Sequence, residues 1–279
     1  MKKFSQRIFD IFMKPEMMIL PGQLAFFMIL ALFPLLTLIG YIGSNISLFS
    51  SYFSSAMSNV VPEGVANVLL PFLTSSHITG NIVFFVIIGF YLISNGTNAI
   101  IVTSNELFGI NHAPFLKRRT KAFFMIILLM ALFIFNVIVL AYGNIIVKQI
   151  ISLEIFSSVS DKLFALFVLF KWPIAFICIF WMIKLIYTLA PDEQIPSKYM
   201  NKGALFTTFG WMFGTTIYSI YISNFANYKM FYGGISTIIV MMIWVYFLAY
   251  ILVMGIAFNV TEYEDDKNQN KKIKKVKNN

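Results

Sequence analysis

Six long apolar stretches decide what this chain of 279 residues can fold into. A helix needs roughly 20 apolar residues to cross the hydrocarbon core of a bilayer, because each residue advances the helix by about 1.5 Å. The stretches lie at about residues 22–41, 82–103, 122–147, 163–189, 204–225 and 235–258. The chain is therefore predicted to be all-α, a polytopic membrane protein with six transmembrane helices.

The amino-acid composition argues against the classes of protein that fold in water. Hydrophobic residues make up 59% of the chain and charged residues only 12%, whereas soluble domains carry about 25% charged residues. A soluble enzyme, a disordered binding protein and a small disulfide-rich domain are poor fits, the last because Cys178 is the only cysteine. His77 and His112 are separated by a predicted span, so we expect no metal site and no cofactor.

The basic residues predict the orientation of the chain in the membrane. If the N-terminus is cytoplasmic, 16 of the 21 lysines and arginines fall on the cytoplasmic side, and the positive-inside rule then places both termini there. This asymmetry accounts for the net charge of +9. The bilayer is the expected partner, and an anionic lipid or a small solute is the candidate ligand. Nucleic acid is not an expected partner, and the sequence leaves an oligomer open.

Three segments outside the spans complete the predicted architecture. Apolar residues at helical spacing in residues 4–12 predict an amphipathic N-terminal helix, which either lies on the cytoplasmic leaflet or packs against the bundle. The serine-rich residues 42–81 predict one or two short extracytoplasmic helices between spans 1 and 2. Residues 1–262 are predicted to form a single six-span domain, and the highly charged residues 263–279 a disordered basic cytoplasmic tail.

Polar residues form a stripe on the second predicted span. At 100° per residue they fall within about one third of the helix circumference. The stripe consists of Ser94, Asn95, Asn98, Asn105 and Glu106. Amides inside hydrocarbon need partners, so we expect the stripe to face the bundle interior or a water-filled cavity. It either lines a substrate path that opens to the cytoplasm or forms hydrogen bonds that hold the helices together, and we favour the second interpretation.

Two further features of the spans have both a functional and a packing interpretation. Lys184, in the fourth span, either reaches the membrane interface or faces the interior, where it would attract an anionic substrate or a lipid headgroup. We include it in the candidate polar path. In the fifth span, Gly210 and Gly214 have the four-residue spacing that lets helices approach closely, so we expect them to serve helix packing.

Four stretches of the sequence resemble a known family. They are LAFFMILALFPLL (24–36), SNGTNAIIVTSNELFGI (94–110), LIYTLAP (185–191) and the fifth and sixth spans with a YG turn between them (203–259). In order and spacing they resemble the BrkB/YihY family of bacterial inner-membrane proteins, once labelled ribonuclease BN-like. The resemblance implies a six-helix protein of the bacterial cytoplasmic membrane, in a family whose activity is not established.

Two functions from different classes fit these features. We favour the first, transport of a small solute, an ion or a lipid along the polar stripe; the alternative is a non-catalytic envelope protein that organises lipids or partner proteins. We expect no enzyme, because metal-dependent hydrolysis needs clustered carboxylates or histidines and the acidic residues here are scattered. The adjacent pair Asp192 and Glu193, just after the fourth span, is interpreted as solvated turn charge.

Overall fold

The computed structural model describes residues 15–43, 63–74, 82–137, 160–224 and 235–277, together with Gln6, Phe9 and Met13. Seven α-helices account for most of this described part, and no strand occurs within it. They are α1 Pro15–Gly43, α2 Glu63–Thr74, α3 Ile82–Phe108, α4 Phe115–Val137, α5 Ser160–Leu189, α6 Asn201–Asn224 and α7 Ser236–Lys277. A short 3₁₀ helix, Ser197–Met200, precedes α6. The predicted all-α class is confirmed.

Three of the helices contain segments long and apolar enough to cross a membrane, by length and composition. These segments are Ile87–Phe108 in α3, Trp172–Leu189 in α5 and Ser236–Asn268 in α7. A shorter apolar segment, Met17–Ala31, lies in α1. The second, fourth and sixth predicted spans therefore coincide with candidate spans. The first, third and fifth predicted spans fall on α1, α4 and α6, and their crossing of the membrane stays a prediction.

The long helices pack in sequence order around a common core. α1 packs against α3, α3 against α4, α4 against α5, α5 against α6 and α6 against α7, while α7 returns to α1 and α3. The short α2 packs against α1 and α7. Leu24, Ile101 and Ile183 are completely buried in this core, whereas Phe124 and Trp172 are more than half exposed on the outside. An outer surface with large exposed apolar side chains suits contact with lipid.

The segments outside the spans are described in part. α2 is a helix within the region predicted to hold one or two short extracytoplasmic helices, and the rest of residues 44–81 lies outside the described residues. The same is true of most of the predicted N-terminal amphipathic helix. Residues 263–279 were predicted to be disordered, but α7 continues through this segment to Lys277.

Aromatic and charged contacts explain why α7 continues beyond its apolar part. The ring of Tyr263 packs edge-on against the rings of Tyr199 and Phe108. Tyr199 also donates a hydrogen bond to Asp266, and Lys202 Nζ lies 3.3 Å from Glu262 Oε1. The charge-rich composition that predicted disorder is also rich in good helix formers, and these contacts favour the helical form.

Candidate functional site

A carboxylate follows the end of α5 and is surrounded by hydrogen-bond donors. α5 ends at Leu189, shortly before Pro191, a residue that does not favour continuation of a helix. The side chain of Asp192 has an exposed fraction of only 5%. Its Oδ2 accepts hydrogen bonds from Asn105 Nδ2 at 2.7 Å and from the backbone N–H of Ala113 at 3.0 Å. The carboxylate thus joins the end of α5 to α3 and to the turn after α3.

Lys121, on α4, binds the same end of α5. Its Nζ donates to the carbonyl oxygens of Ala190 and Pro191 at 2.7 and 2.6 Å and to Asp192 Oδ1 at 3.0 Å. A cation is favourable here because the carbonyl groups at a helix C-terminus carry partial negative charge. All three N–H bonds of the ammonium group therefore have an acceptor.

The turn between α3 and α4 adds two residues to this cluster. Gly109 has a φ of 65°, which glycine adopts without strain, and the N–H of Ile110 donates to the carbonyl of Asn105 at 2.9 Å. The chain then folds back so that His112 Nδ1 lies 3.1 Å from Asn105 Nδ2 and its Nε2 lies 3.0 Å from Glu106 Oε1. We call Asn105, Glu106, His112, Lys121 and Asp192 the Asp192 network.

The surroundings of the Asp192–Lys121 pair shift the pKa of both groups. Desolvation alone would raise the pKa of Asp192, but the hydrogen bonds from Ala113, Asn105 and Lys121, with the charge of Lys121, outweigh it and hold that pKa below its ordinary value. Desolvation lowers the pKa of Lys121, and Asp192 offsets only part of this effect. The carboxylate therefore remains ionised at neutral pH and serves as the acceptor of the network.

α3 and α4 are joined a second time, nearer the middle of α3. Arg119 Nη1 donates to Asn95 Oδ1 at 2.7 Å and its Nη2 donates to the carbonyl of Tyr91 at 3.2 Å. The guanidinium also lies over the ring of Tyr91, 4.3 Å from the ring centroid. Nearby, the hydroxyl of Thr97 donates to the carbonyl of Ala122 at 3.1 Å. Each of these contacts uses a polar group of α3 to hold α4.

The structure separates the residues of the predicted polar path into three groups. Asn105 and Glu106 belong to the Asp192 network and Asn95 binds Arg119, so these three stripe residues take part in contacts with other parts of the chain. Ser94 is buried and its hydroxyl has no hydrogen-bond partner. Within the described part of the chain, Asn98 makes no side-chain hydrogen bond and is half-buried.

Lys184 lies apart from the stripe. Its Nζ is 4.8 Å from the ring centroid of Trp181, whose exposed fraction is 52%. A cation over an exposed aromatic ring is a favourable arrangement at a lipid interface. No hydrogen bond of the described residues connects Lys184 to the stripe.

The two glycines of the GxxxG motif lie against α7 of the same chain. A Cβ atom at Gly210 would be 2.6 Å from Cγ2 of Ile251, and one at Gly214 would be 2.6 Å from Cε1 of Phe247. The absence of a side chain at these positions therefore allows α6 and α7 to approach closely.

A second close approach joins α5, α6 and α7, and the sequence did not predict it. The hydroxyl of Tyr187 donates to the carbonyl of Leu252 at 2.8 Å and lies 2.6 Å from Thr207 Oγ1. A Cβ atom at Gly255 would collide with the hydroxyl groups of Tyr187 and Thr207, and one at Gly203 would collide with the backbone carbonyl of Gly255. We call Tyr187, Gly203, Thr207 and Gly255 the glycine crossing.

Asn259 completes the packing beside the glycine crossing. Its Oδ1 accepts a hydrogen bond at 2.8 Å from the N–H of Gly203, in the first turn of α6, so it satisfies one of the amides that a helix N-terminus leaves free. Asn259 is completely buried, and its Nδ2 has no partner. The side-chain oxygen of Asn259 on α7 thus caps an amide at the start of α6.

Asp192 is the residue of the site that sequence reasoning misjudged. The interpretation of Asp192 as solvated turn charge is wrong, because its side chain is buried and accepts hydrogen bonds from three residues. The available signal was its position directly after a span that ends in proline, on the same predicted side of the membrane as the basic segment 117–121. A carboxylate at the end of one span and a lysine at the start of another are natural partners.

The fold and the site define an integral membrane protein built from a helical bundle. Its helices expose apolar side chains outward, and polar groups join them at one end. Among the residues that the structure describes, no three His, Cys, Asp or Glu side chains are grouped so that they could hold a metal ion.

Comparisons with known proteins identify the family. The chain belongs to the BrkB family, also called UPF0761, because the family model described as "Virulence factor BrkB" matches residues 8–279. The resemblance stated from the motifs is thereby confirmed. No solved structure matches the chain.

Two relatives show how similar the chain is to other sequences of this family. It is 28% identical to the ribonuclease-like protein YfkH of Bacillus subtilis (strain 168), over 84% of this chain and 86% of that protein. It is 29% identical to a UPF0761 membrane protein of Glaesserella parasuis serovar 5 (strain SH0165), over 63% of this chain and 58% of that protein. The chain is thus similar along most of its length to proteins described as membrane proteins or as ribonuclease-like.

Proposed function

We propose that the chain is a six-span, non-catalytic protein of the bacterial cytoplasmic membrane that organises lipids or partner proteins, with both termini on the cytoplasmic side. The excess of lysine and arginine on one side of the predicted spans supports this orientation. In this orientation the Asp192 network lies at the cytoplasmic end of the bundle. The three helices α1, α4 and α6 cross the membrane beside the three candidate spans.

The observation that carries this proposal is that the hydrogen-bonding atoms of Asp192, Lys121 and Asn105 already have partners within the chain. Asp192 accepts hydrogen bonds from three residues, Lys121 uses all of its N–H bonds, and the Asn105 amide binds through both its oxygen and its nitrogen. A side chain that binds a substrate needs hydrogen-bond donors or acceptors that are not already used within the protein. Since these polar atoms already bind other parts of the chain, they favour a clamp that holds α3, α4 and α5 together.

Transport is a second candidate, and one observation favours it. Ser94 and Asn98 lie one helical turn apart on α3, and neither side chain makes a hydrogen bond within the described part of the chain. A buried hydroxyl without a partner is costly and suits a position that a solute or water occupies for part of the time. Substitutions at Asn98 and at Asn105 therefore distinguish the two candidate functions.

The two functions are tested by reconstituting the protein in vesicles. Proton leak is followed with the dye pyranine, and lipid movement with a fluorescent phospholipid that dithionite quenches in the outer leaflet. We expect neither signal to depend on the protein. We also expect Asn105→Ala to lower the free energy of unfolding by about 1–2 kcal/mol, because it leaves Asp192 without one donor. The matched control Asn98→Ala should leave stability unchanged.

One result would replace the proposal with transport. It is a protein-dependent flux that Asn98→Ala abolishes while the thermal stability of that variant equals that of the wild type.

The absence of enzymatic activity is part of the proposal. The Bacillus subtilis relative is named ribonuclease-like, but the buried carboxylate of the Asp192 network is already bound by a lysine, an amide and a backbone N–H. We expect the purified protein to leave a labelled RNA intact with or without Mg²⁺ or Zn²⁺. Cleavage that Asp192→Asn or His112→Ala removes would overturn this part of the proposal.

A further inference from the structure

An arginine in the groove between α3 and α4 has neutral partners only. The guanidinium of Arg119 donates to the side-chain oxygen of Asn95 and to the backbone carbonyl of Tyr91. None of the carboxylates in the described ranges forms an ion pair with it. A guanidinium has five N–H bonds, so donors remain for a further acceptor. The charge of Arg119 thus lacks a counter-charge.

The basic segment around Arg119 strengthens this imbalance. Lys117, Arg118 and Arg119 are consecutive, and none of these three forms an ion pair with a carboxylate of the described residues, whereas Lys121 pairs with Asp192. The Nε of Arg118 is buried and has no hydrogen-bond partner. The first turn of α4 contains no acidic residue. Cations that are partly removed from water without a counter-charge are unfavourable, and an anion bound beside them would relieve this cost.

The groove around Arg119 opens onto an apolar, outward-facing surface. Tyr91 is 59% exposed, Ile87, one turn before it on α3, is 62% exposed, and Phe123, one turn after Arg119 on α4, is 44% exposed. The ring of Phe123 also packs on that of Phe90, with 5.8 Å between centroids. The rim of the groove is therefore formed by aromatic and aliphatic side chains of both helices, which suits acyl chains.

The side chain of Arg119 extends from the cytoplasmic end of α4 along α3. Arg119 is two residues before Lys121 on α4, but its guanidinium binds Asn95, which lies about 15 Å from Asn105 along the axis of α3 at a rise of about 1.5 Å per residue. In the proposed orientation the backbone of Arg119 is therefore at the cytoplasmic end of the bundle and its guanidinium points toward the apolar part of α3. A long cationic side chain at this boundary is favourable where a lipid headgroup reaches it.

We propose that the groove formed by Tyr91, Asn95 and Arg119 binds the phosphate group of an anionic phospholipid. Arg119 donates to the phosphate oxygens, a geometry that a guanidinium fork matches well. The acyl chains lie along Tyr91, Ile87 and Phe123. A free inorganic phosphate has the same charge chemistry but would face these apolar side chains without a tail to cover them, so the groove favours a lipid. This inference rests on the proposed lipid-organising function and names its site.

The test compares lipid binding to the full-length protein and to charge variants in detergent by native mass spectrometry. The probes are phosphatidylglycerol, phosphatidylcholine and inorganic phosphate. We expect the wild type to retain phosphatidylglycerol over phosphatidylcholine and Arg119→Gln to lower retention of phosphatidylglycerol about fivefold. Lys117→Gln is the matched control, because it removes the same charge from an exposed neighbour, and it should lower retention less than twofold.

Different failures have different meanings. If the wild type shows no preference for phosphatidylglycerol, lipid organisation and the site both fail. If the preference persists and Arg119→Gln behaves like Lys117→Gln, only the site is wrong. If inorganic phosphate at the lipid's concentration displaces the lipid, the groove binds a free anion and the inference is overturned.

A second variant keeps the test valid if Arg119→Gln does not fold. Tyr91→Ala leaves the charge in place and removes the ring beneath the guanidinium. It should lower retention of phosphatidylglycerol about two- to fivefold, the range that an exposed cation–π contact is worth. Unchanged retention in this variant would also overturn the inference.

Discussion

The Asp192 network and the glycine crossing both join helices through polar groups, but they do so by opposite means. The network uses a carboxylate, an ammonium and an amide at the end of the bundle, where turns and helix termini supply backbone N–H and C=O groups. The crossing is uncharged, lies within the helices and depends on two glycines that let a tyrosine hydroxyl reach a backbone carbonyl.

The difference follows from the cost of burying charge. An ion pair loses the hydration of both partners, so it is tolerated best where many hydrogen bonds remain available, as they are around Asp192. Inside the bundle a neutral hydroxyl loses much less on burial, and a single hydrogen bond to a carbonyl satisfies it. Close approach then supplies the packing energy at the crossing, whereas hydrogen bonds supply the stability of the network. Substitutions in the two regions should therefore differ in how much stability they remove and in how that loss depends on pH.

The largest effect is expected at the glycine crossing. Gly255→Ala places a methyl group against the hydroxyl groups of Tyr187 and Thr207, and both are fixed by their hydrogen bond to each other. Since neither group is the free end of a flexible side chain, α5 and α6 must move away from α7. We expect the free energy of unfolding in detergent to fall by about 3 kcal/mol, as measured by thermal or denaturant unfolding.

Gly22→Ala is the matched control for this substitution. The new methyl group would be 3.9 Å from a ring carbon of Tyr246, an ordinary contact distance. An equal loss in both variants would show that helix propensity or general crowding, and not the crossing, determines the effect.

The crossing also shows what could be predicted from the sequence. Apolar length and charge bias predict helices along the chain and the family motifs predict its relatives, because these signals are local. Gly210 and Gly214 are recognisable as a packing motif by their spacing alone. Gly203 and Gly255 are not, because each is defined by a neighbour 52 residues away in the sequence, on another helix.

Of the residues in the site, those on α3 could be predicted from the sequence and Asp192 could not. The stripe on α3 indicates that Asn105 needs a partner, since an amide in hydrocarbon does. Its partner Asp192 is 87 residues further along the chain. An aspartate next to a proline after a span has the same local sequence whether it is solvated or buried, so only the packing of α5 against α4 distinguishes the two cases.

A smaller effect is expected in the Asp192 network. Asp192→Ala leaves Lys121 without its counter-charge and leaves Asn105 and the N–H of Ala113 without an acceptor. Breaking a fully buried pair costs about 3–5 kcal/mol, but Lys121 is partly exposed and keeps two carbonyl acceptors, so we expect a loss of about 2 kcal/mol. Unfolding in detergent at neutral pH measures it.

Glu193→Ala provides the control, because it removes the adjacent carboxylate, which is exposed. It should change stability by less than about 0.5 kcal/mol. If Asp192→Ala lowered stability no more than Glu193→Ala, the network would contribute nothing to holding the bundle. Only the glycine crossing would then be shown to join helices.

The smallest effect, and the sharpest test of the contrast, is the pH dependence. The pKa of Asp192 is below its ordinary value in the folded chain, so as the pH falls the unfolded chain takes up the proton first. The contribution of the carboxylate is therefore complete above its ordinary pKa of about 3.9 and is lost as the pH falls through that value toward the folded-state pKa. The difference in stability between wild type and Asp192→Asn should shrink between about pH 5.5 and pH 3.

Tyr187→Phe is the control. It removes a neutral hydroxyl from the glycine crossing, so its difference in stability from the wild type should stay constant over the same range. If both differences changed in parallel, acid would act on the whole bundle and not on the one buried carboxylate.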